Sequence, residues 1–220
     1  MQRAPKLWFE ELTNFFKKLG FIQCHEDLCI FKMKGLIVFF FVDDIVMMFP
    51  KGKERLWEKT HDELLANYTV KDLGELKWFL GVEVIRDRTT REMRLSQASY
   101  ISTIARKFLR GQLETKSMWP KSPMPTKKLT QSTLEATEDE IAHYCALVGS
   151  ILYPSIISRP DAAFCACKMA QFSRNPSSKH LAIAEQCLEY MYHTKSMCIH
   201  FSADERDNTL FLFDRCIIRR

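Results

Sequence analysis

Two adjacent aspartates interrupt a long apolar run in the stretch GLIVFFFVDDIVMMFP, residues 35–50. On a regular strand, neighbouring side chains point to opposite faces, so a pair within a strand would drive one carboxylate into the core. Burying an unpaired carboxylate is very costly. At the tip of a hairpin both carboxylates can reach solvent or a cation. The stretch therefore predicts a strand, a tight turn at Asp43 and Asp44, and a second strand.

Spacing alone leaves two interpretations of this pair open. Aspartate is a common turn residue, so the pair could simply form the turn. The second interpretation is a magnesium site, because Mg²⁺ is usually held by one or two carboxylates together with substrate phosphates. Polymerases use two such ions, and two adjacent carboxylates cannot easily clamp both. A third acid from a neighbouring strand is normally required.

Composition restricts the class of protein. A chain of 220 residues with 46% hydrophobic content can bury a core and suggests one or two domains. The apolar run ends after Val42, well short of the roughly 20 residues of a membrane helix, and the N-terminus lacks the apolar region of a signal peptide. We expect a soluble intracellular protein, in the cytoplasm or nucleus, with no membrane partner.

The cysteine pattern favours reduced thiols. Eight cysteines show neither CxxC pairs nor the spacing of a disulfide framework. Cys24, His25 and Cys29 resemble half a zinc site, but a second pair of ligands at matching spacing is missing. We therefore expect reduced, mostly buried thiols, with a zinc site as the minor alternative.

Hydrophobic periodicity predicts alternating helices and hairpins in the first half of the chain and mainly helices in the second. The predicted helices cover 7–19, 54–67, a segment from Ser96 to Gly111, 138–152, a helix opened by Pro160 and another after NPSSKH. The predicted strands are Leu28–Phe31, Leu36–Val42, Ile45–Phe49, two runs flanking RDRTTRE, and the terminal TLFLF. Pro154 is irregular, because proline disfavours a helix interior.

A segment rich in lysine and proline, roughly residues 112–130, separates the two halves. Its lysines are Lys116, Lys121, Lys127 and Lys128. Such a run is usually a solvated linker, although a nearby phosphate backbone would also favour it. The net charge of +5 is too small to identify a partner by itself.

The order of several motifs resembles one known family. The motifs are QRAPKLWFEEL, FFFVDDIVM, VKDLGELKWFLGVEV, LSQASYISTIARKF, SPMP, ALVGSILYPSIISRPDAAF, FSRNPSSKH and AEQCLEYMYHTKS. Together they cover nearly the whole chain, and they resemble the reverse transcriptase of copia-type long-terminal-repeat retrotransposons. The resemblance implies an α+β fold, with a partial polymerase palm of antiparallel hairpins packed on helices and then a mostly helical thumb and connection region.

The resemblance also implies a domain order. Residues 1–96 would be the C-terminal part of the palm, and 97–130 the thumb helix with the lysine–proline linker. Residues 131–200 would form the helical connection, and 201–220 the start of a ribonuclease H-like domain.

Catalytic roles follow from the resemblance for the two aspartates. In this family the palm hairpin typically reads Tyr-Val-Asp-Asp, and here Phe41 replaces the tyrosine. Asp43 would be the main metal ligand and Asp44 its neighbour, with Mg²⁺ or Mn²⁺ as cofactor.

Two nucleic-acid contacts are implied as well. The stretch ELKWFLGVEV corresponds to the primer grip, whose expected contacts are Trp78, Phe79, Leu80 and Gly81. The same residues could equally pack a hairpin against the palm. Gln2, Pro5 and Phe41 would line the nucleotide and template pocket. The implied partners are an RNA/DNA template-primer, a deoxynucleoside triphosphate, and the N-terminal polymerase and ribonuclease H portions of the polyprotein.

The sequence departs from the family at the third catalytic aspartate, which should precede QRAPK. No acid among residues 1–34 replaces it, and the residues around Asp214 do not follow the ribonuclease H pattern. Because an incomplete set of carboxylates weakens the electrostatic stabilisation of phosphoryl transfer, we expect a polymerase fragment without independent catalysis. The alternative is a non-enzymatic transposon remnant, either inert or weakly nucleic-acid-binding.

Overall fold

The computed structural model describes residues 4–111, 113, 118–125 and 129–202, and the backbone of 214–219. The chain divides into two compact units. The first comprises Met1–Phe79, Thr89–Arg91 and Ser202–Arg220, and the second comprises Leu80–Arg88 and Glu92–Phe201. Helices and antiparallel ladders occur together in the described residues, which confirms the predicted α+β class.

The first unit contains a six-stranded sheet and two helices. Its elements are α1 (Ala4–Lys18), β1 (Ile22–Gln23), β2 (Ile30–Met33), β3 (Leu36–Phe41), β4 (Asp44–Phe49), α2 (Glu54–Asn67), β5 (Lys71–Asp72), β6 (Trp78–Phe79) and the late strand β10 (Asp214–Arg219). The sheet order is β1-β2-β3-β4-β10-β5. A strand from the far end of the sequence therefore lies between β4 and β5.

Helix α1 supplies three of the buried aromatic side chains in the core of the first unit. Its spacing places Trp8, Leu12, Phe15 and Phe16 on one buried face. The ring of Phe16 lies within 6.4 Å of the rings of Phe21, Phe31 and Phe40, measured between centroids. The helix thus packs against the face of the sheet that includes the inward side of β3.

The second unit combines a small sheet with a helical bundle. Its elements are β7 (Val82–Asp87), β8 (Glu92–Ser96), α3 (Ala98–Phe108), α4 (Glu138–Ile157), α5 (Pro160–Ala170), α6 (Ser178–His193) and β9 (Ile199–Ser202). Strands β7 and β8 form an antiparallel hairpin, and β9 lies beside β8. The four helices surround one core, to which Ile101, Leu147 and Leu188 contribute fully buried side chains.

Helix α4 buries one face in this core. Among the helices in the described residues, α4 alone has the length and mean hydropathy of a membrane span. Its buried residues Tyr144, Leu147 and Val148 pack in the cluster shared with the other helices. The Tyr144 hydroxyl donates a hydrogen bond of 2.9 Å to the carbonyl of Met169 in α5. We interpret α4 as a core helix.

The predicted helices and hairpins before residue 112 are confirmed with small shifts of their ends. Helix α2 has its predicted bounds, whereas β2 begins two residues later than predicted, at Ile30. The predicted cap Ser96 accepts a hydrogen bond from the Ala98 amide at 3.2 Å, although the structural N-cap is Gln97. The strand predicted at TLFLF lies outside the described residues.

The predicted end of α4 was wrong, because the helix continues through Pro154 to Ile157. Proline lacks the amide that would bond to the carbonyl four residues earlier, here Ser150. The hydroxyl of Tyr100 in α3 donates to that carbonyl instead, at 3.3 Å. A partner from a neighbouring helix therefore replaces the missing bond.

Candidate functional site

The two aspartates lie at the tip of the β3–β4 hairpin. Phe41 at the end of β3 pairs with Asp44 at the start of β4, so Val42 and Asp43 form a two-residue turn. Asp43 is exposed and Asp44 is half-buried. The predicted order of strand, turn and strand is confirmed, but the turn lies one residue earlier than predicted, because Asp44 belongs to β4. The turn leaves the Asp43 carboxylate open to solvent.

The turn has an unusual backbone. Val42 has φ of 53°, in the left-handed region that β-branched residues rarely adopt. Such a conformation costs on the order of 1–3 kcal/mol and persists only where the surroundings hold it. The indole N–H of Trp8 donates a hydrogen bond of 2.8 Å to the Val42 carbonyl. Helix α1 therefore fixes the turn that carries the aspartates.

Trp8 is itself held by a second aromatic residue. Its ring contacts Tyr68 edge-on, with 5.3 Å between centroids, and its side chain is 9% exposed. The Tyr68 hydroxyl donates to the Glu11 carboxylate at 3.2 Å. Burial, together with the charge and hydrogen bond of Glu11, raises the pKa of Tyr68 to about 12, so the hydroxyl keeps its proton. Sequence reasoning missed Trp8 as a site residue, because its position in an apolar stripe is typical of core packing.

The strand beside β4 does not place an acid next to the aspartates. In the β4–β10 ladder, Arg219 is paired with Asp44, and Asp214 is paired with Phe49 at the opposite end. At about 3.4 Å per residue, Asp214 lies roughly 17 Å along the strand from the end that carries Asp44. Among the side chains that the structure describes, no group of three or more His, Cys, Asp or Glu residues could hold a metal ion.

The two aspartates fit a single divalent ion better than a pair of ions. Mg²⁺ is commonly held by one or two carboxylates, with waters and substrate phosphates completing its six oxygen ligands. The exposed Asp43 and the half-buried Asp44 can provide the protein part of such a set. A second ion needs donors that the described side chains around the hairpin do not supply.

The zinc alternative at Cys24, His25 and Cys29 gains no support from the geometry. The Cys24 thiol donates to the Glu26 carboxylate at 2.9 Å, and this bond, followed by a backbone hydrogen bond, lowers the pKa of Glu26. Within the described part of the chain no three His, Cys, Asp or Glu side chains form a group that could hold a metal. The prediction of mostly buried thiols was wrong, because among the described cysteines only Cys165 and Cys187 are buried.

The predicted primer-grip residues form a short strand and a turn. Trp78 and Phe79 make β6, and Leu80 and Gly81 follow with φ of 49° and 74°. Phe79 packs edge-on against Phe39 of β3, with 5.3 Å between centroids. β6 is thereby attached to the strand that leads to the aspartates.

The same segment leaves two apolar side chains in solvent. Trp78 is 47% exposed and Leu80 is 40% exposed. The Leu80 carbonyl accepts a hydrogen bond from the Tyr153 hydroxyl, which anchors the turn. Packing of the hairpin explains the position of Phe79, but it does not explain why Trp78 and Leu80 are exposed.

The predicted nucleotide-pocket residues are described only in part. Gln2 lies outside the described residues. Pro5 is exposed in the first turn of α1, one turn before Trp8, and Phe41 is 54% exposed at the end of β3. Because Trp8 bonds to Val42, this end of α1 lies beside the hairpin tip.

Comparison with known proteins agrees with the motifs. The family model described as reverse transcriptase (RNA-dependent DNA polymerase) matches residues 1–120, which include the aspartate hairpin and the segment from Trp78 to Gly81. The chain is 27% identical over 221 residues to the retrovirus-related Pol polyprotein from transposon TNT 1-94 of Nicotiana tabacum. It is 29% identical over 205 residues to a putative transposon Ty5-1 protein of Saccharomyces cerevisiae, and 29% identical over 217 residues to the retrovirus-related Pol polyprotein from transposon RE1 of Arabidopsis thaliana.

The extent of these matches differs between this chain and its relatives. The alignments cover 93%, 91% and 96% of this chain, but only 16%, 64% and 14% of the respective relatives. The chain thus spans less than two thirds of each of them. No solved structure matches the chain. The family match and these relatives confirm the resemblance drawn from the motifs: the chain belongs to the reverse transcriptase family of copia-type retrotransposon Pol polyproteins.

Proposed function

We propose that this chain forms part of an RNA-directed DNA polymerase and contributes two carboxylates, Asp43 and Asp44, to its nucleotidyl-transfer site. The observation that carries the proposal is the aspartate pair at an exposed hairpin tip, on a turn whose backbone is held by Trp8. A plain surface turn has no need of a β-branched residue at positive φ. The family membership of the chain supports the same role.

The chemistry assigned to the aspartates is metal binding. Asp43, which is exposed, would be the main ligand, and Asp44 would assist it. A divalent ion, Mg²⁺ or Mn²⁺, supplies charge neutralisation for the nucleotide phosphates when it is bound. The protein keeps the two carboxylates in place through the hairpin register and the bond from Trp8 to Val42. Pro5 and Phe41, with Gln2, are proposed to border the nucleotide and template.

The exposed face of the Trp78–Gly81 segment is proposed to hold the primer end. Trp78 and Leu80 present apolar surface, and aromatic side chains stack readily on nucleic-acid bases. Phe79 attaches the segment to β3, so the primer contact and the aspartates belong to connected strands. We propose that the residues before 97 belong to the palm. Residues 97–130 would then form the thumb, and residues 131–200 the connection.

We further propose that the chain does not catalyse nucleotide addition by itself. Two-metal transfer requires more carboxylates than the hairpin offers, and the strand paired with β4 places Arg219 opposite Asp44. The same observation favours the second candidate, a non-enzymatic remnant that binds nucleic acid weakly. If the chain is part of a polymerase, the remaining catalytic groups come from other parts of a polyprotein, which also supply the fingers and ribonuclease H.

Metal binding separates the two candidates. We would titrate Mn²⁺, followed by electron paramagnetic resonance, into the chain with a non-hydrolysable deoxynucleoside triphosphate. Asp43→Asn should weaken Mn²⁺ binding by about tenfold or more, because even an outer-shell change costs that much. Asp62→Asn, an exposed acid on α2, is the control and should bind as the unaltered chain does. Equal binding by all three proteins would leave the remnant as the better description.

Template-primer binding and catalysis need separate assays. We expect an RNA/DNA hybrid to bind with strong salt dependence, and Trp78→Ala to weaken this binding. Lack of affinity even at low salt would refute the template-primer role. In primer extension with Mg²⁺ or Mn²⁺ we expect no product. Extension that disappears in Asp43→Asn would overturn the proposed inactivity while supporting the polymerase assignment.

A further inference from the structure

The described part of the lysine–proline linker is packed on the helical unit. The segment 118–125, here called the tryptophan segment, is attached by three contacts besides those of Trp119. The amide of Gln186 on α6 donates to the Ser122 carbonyl at 3.2 Å, and the thiol of Cys165 on α5 donates to the Pro123 carbonyl at 3.4 Å. Met124 packs against the helical core. The segment therefore has a fixed position on α5 and α6.

This attachment places Trp119 on an aromatic surface at the end of α6. The Trp119 ring stacks on His193, with 5.5 Å between centroids and 10° between planes. It also contacts Tyr192 at 5.7 Å and 44°. We call Trp119, Tyr192 and His193 the aromatic platform.

A cavity of about 510 Å³ adjoins the platform, lined by the tryptophan segment and the end of α6. This volume is within the range of small-molecule sites and is sufficient for a nucleotide. Met118, one of its lining residues, is 80% exposed, so the cavity is open to solvent. An extended chain can therefore pass across it.

Two lysines give the cavity a positive border. Lys121 is exposed in the tryptophan segment, and the Lys195 ammonium lies 4.3 Å from the centre of the Tyr192 ring. The carboxylate of Asp161, close to the lining residue Tyr190, forms a 2.7 Å ion pair with Arg159. Glu189, one turn before His193, is 6% exposed. These acids are paired or buried, whereas Lys121 can reach a ligand in solution.

We propose that the aromatic platform and its two lysines form a binding site for single-stranded nucleic acid. One base extends the stack formed by the Trp119 and His193 rings, and the adjoining phosphates pair with Lys121 and Lys195. Aromatic stacking tolerates any base, and a flanking cation follows the backbone, which is the usual combination in sites that bind single strands without sequence preference. The site lies in the second unit and goes beyond the role proposed for the aspartate hairpin.

The test is a titration of the full chain with a fluorescein-labelled oligothymidylate of 12 nucleotides, followed by anisotropy at two salt concentrations. Trp119→Ala should weaken binding by about tenfold, since stacking on one aromatic residue has this magnitude. The double variant Lys121→Glu with Lys195→Glu should weaken binding and lower the salt slope by about 0.7 for each lost phosphate contact. Lys179→Glu, an exposed lysine at the other end of α6, is the matched control and should not change affinity.

A photocrosslink makes the result independent of protein stability. An oligonucleotide with 5-iododeoxyuridine should crosslink to Trp119 or Tyr192, identified by mass spectrometry. Unchanged affinity in both the Trp119→Ala and the double-lysine proteins, or crosslinks confined to other parts of the chain, would overturn the proposal. So would preferential binding of a proline-rich peptide at the platform.

The outcome is distinguishable from that of the proposed function. Asp43→Asn, which removes a proposed metal ligand and no proposed base contact, should bind the single strand normally. A chain that binds oligothymidylate through Trp119 but neither Mn²⁺ nor the hybrid would retain this inference and lose the polymerase role.

Discussion

Trp8 links the core of the first unit to the turn that carries the aspartates. Its ring is buried against Tyr68, and its indole N–H bonds to the carbonyl of Val42. Trp57 provides a natural contrast within the same unit. Its ring stacks on Phe49 and His61, but its buried indole N–H has no hydrogen-bond partner among the described residues. A comparison of the two residues therefore separates the contribution of the aromatic ring to stability from the contribution of the hydrogen bond.

We predict that Trp8→Phe lowers the free energy of unfolding by about 1 kcal/mol more than Trp57→Phe does. Both changes keep an aromatic ring and remove similar apolar area. Trp8→Phe also removes a hydrogen bond and leaves the Val42 carbonyl without its indole donor, whereas Trp57→Phe removes an unsatisfied donor. Urea unfolding of the two variants gives the comparison. Equal losses would mean that the bond to Val42 does not stabilise the turn.

A contact between α3 and α4 allows α4 to continue past Pro154, a residue that usually ends a helix. Pro154 leaves the Ser150 carbonyl without its helical partner, and the Tyr100 hydroxyl takes that place. Burial raises the pKa of Tyr100 despite the opposing effect of this hydrogen bond, so the hydroxyl remains a donor at neutral pH. The length of α4 therefore depends on a neighbouring helix.

A double-mutant cycle tests this dependence. Tyr100→Phe should cost about 1 kcal/mol in the natural chain, because the Ser150 carbonyl then loses its partner. In a Pro154→Ala background the new amide can bond to that carbonyl, so Tyr100→Phe should cost much less. The measurement is the free energy of unfolding of the four proteins. Identical costs in the two backgrounds would contradict the account of Pro154.

The start of α5 depends on an ion pair between the buried Arg159 and the partly exposed Asp161. Arg159 is 1% exposed and bonds to both carboxylate oxygens of Asp161, to the carbonyls of Met191 and Thr194, and to the Thr194 hydroxyl. Burial raises the pKa of Asp161, but the hydrogen bonds and charge of Arg159 outweigh it, so the pKa lies below its usual value. The bonds from the guanidinium of Arg159 to Met191 and Thr194 therefore tie the start of α5 to the end of α6.

The pH dependence of stability follows from the sign of this shift. A carboxyl with a lowered folded pKa stabilises the protein above its unfolded pKa of about 3.9, and this contribution is lost as the pH falls through the folded value. Asp161→Asn should cost about 3 kcal/mol at pH 7, because it leaves a buried guanidinium unpaired. Its unfolding free energy should also fall less than that of the natural chain between pH 5 and pH 3. Glu138→Gln, an exposed acid on α4, should keep the natural profile. A natural profile in Asp161→Asn would show that the pair does not govern acid stability.

Across the whole molecule, sequence reasoning succeeded where structure is local. The α2 bounds and the hairpin around Asp43 follow from hydrophobic period and turn chemistry, which act over a few residues. Two contacts join distant segments, namely the bond from Trp8 to Val42 and the stacking of Trp119 on His193. No local sequence pattern predicts such contacts. The strands β1 and β5 have two residues each, too few for a detectable pattern.

The position of β10 gives a prediction for the first unit. Its six residues pair with β4 along the full length of that strand, and β5 pairs on its other side. Deletion of 214–220 should leave β4 as an unpaired edge, which favours association between chains. Light scattering and hydrogen exchange at the β4 amides would detect larger particles and faster exchange. Deletion of Arg220 alone is the control, and a monomeric, fully protected chain lacking 214–220 would contradict the ladder.

The location of β10 also has a consequence for synthesis on the ribosome. The chain completes β4 at Phe49, but the strand that lies beside it is not made until Asp214 and the residues after it have been added. At about 5–20 residues per second, the delay is on the order of ten seconds. During this interval the helical unit, whose contacts are more local, can form first. The sheet that carries the aspartates is then closed only after the helical unit has formed.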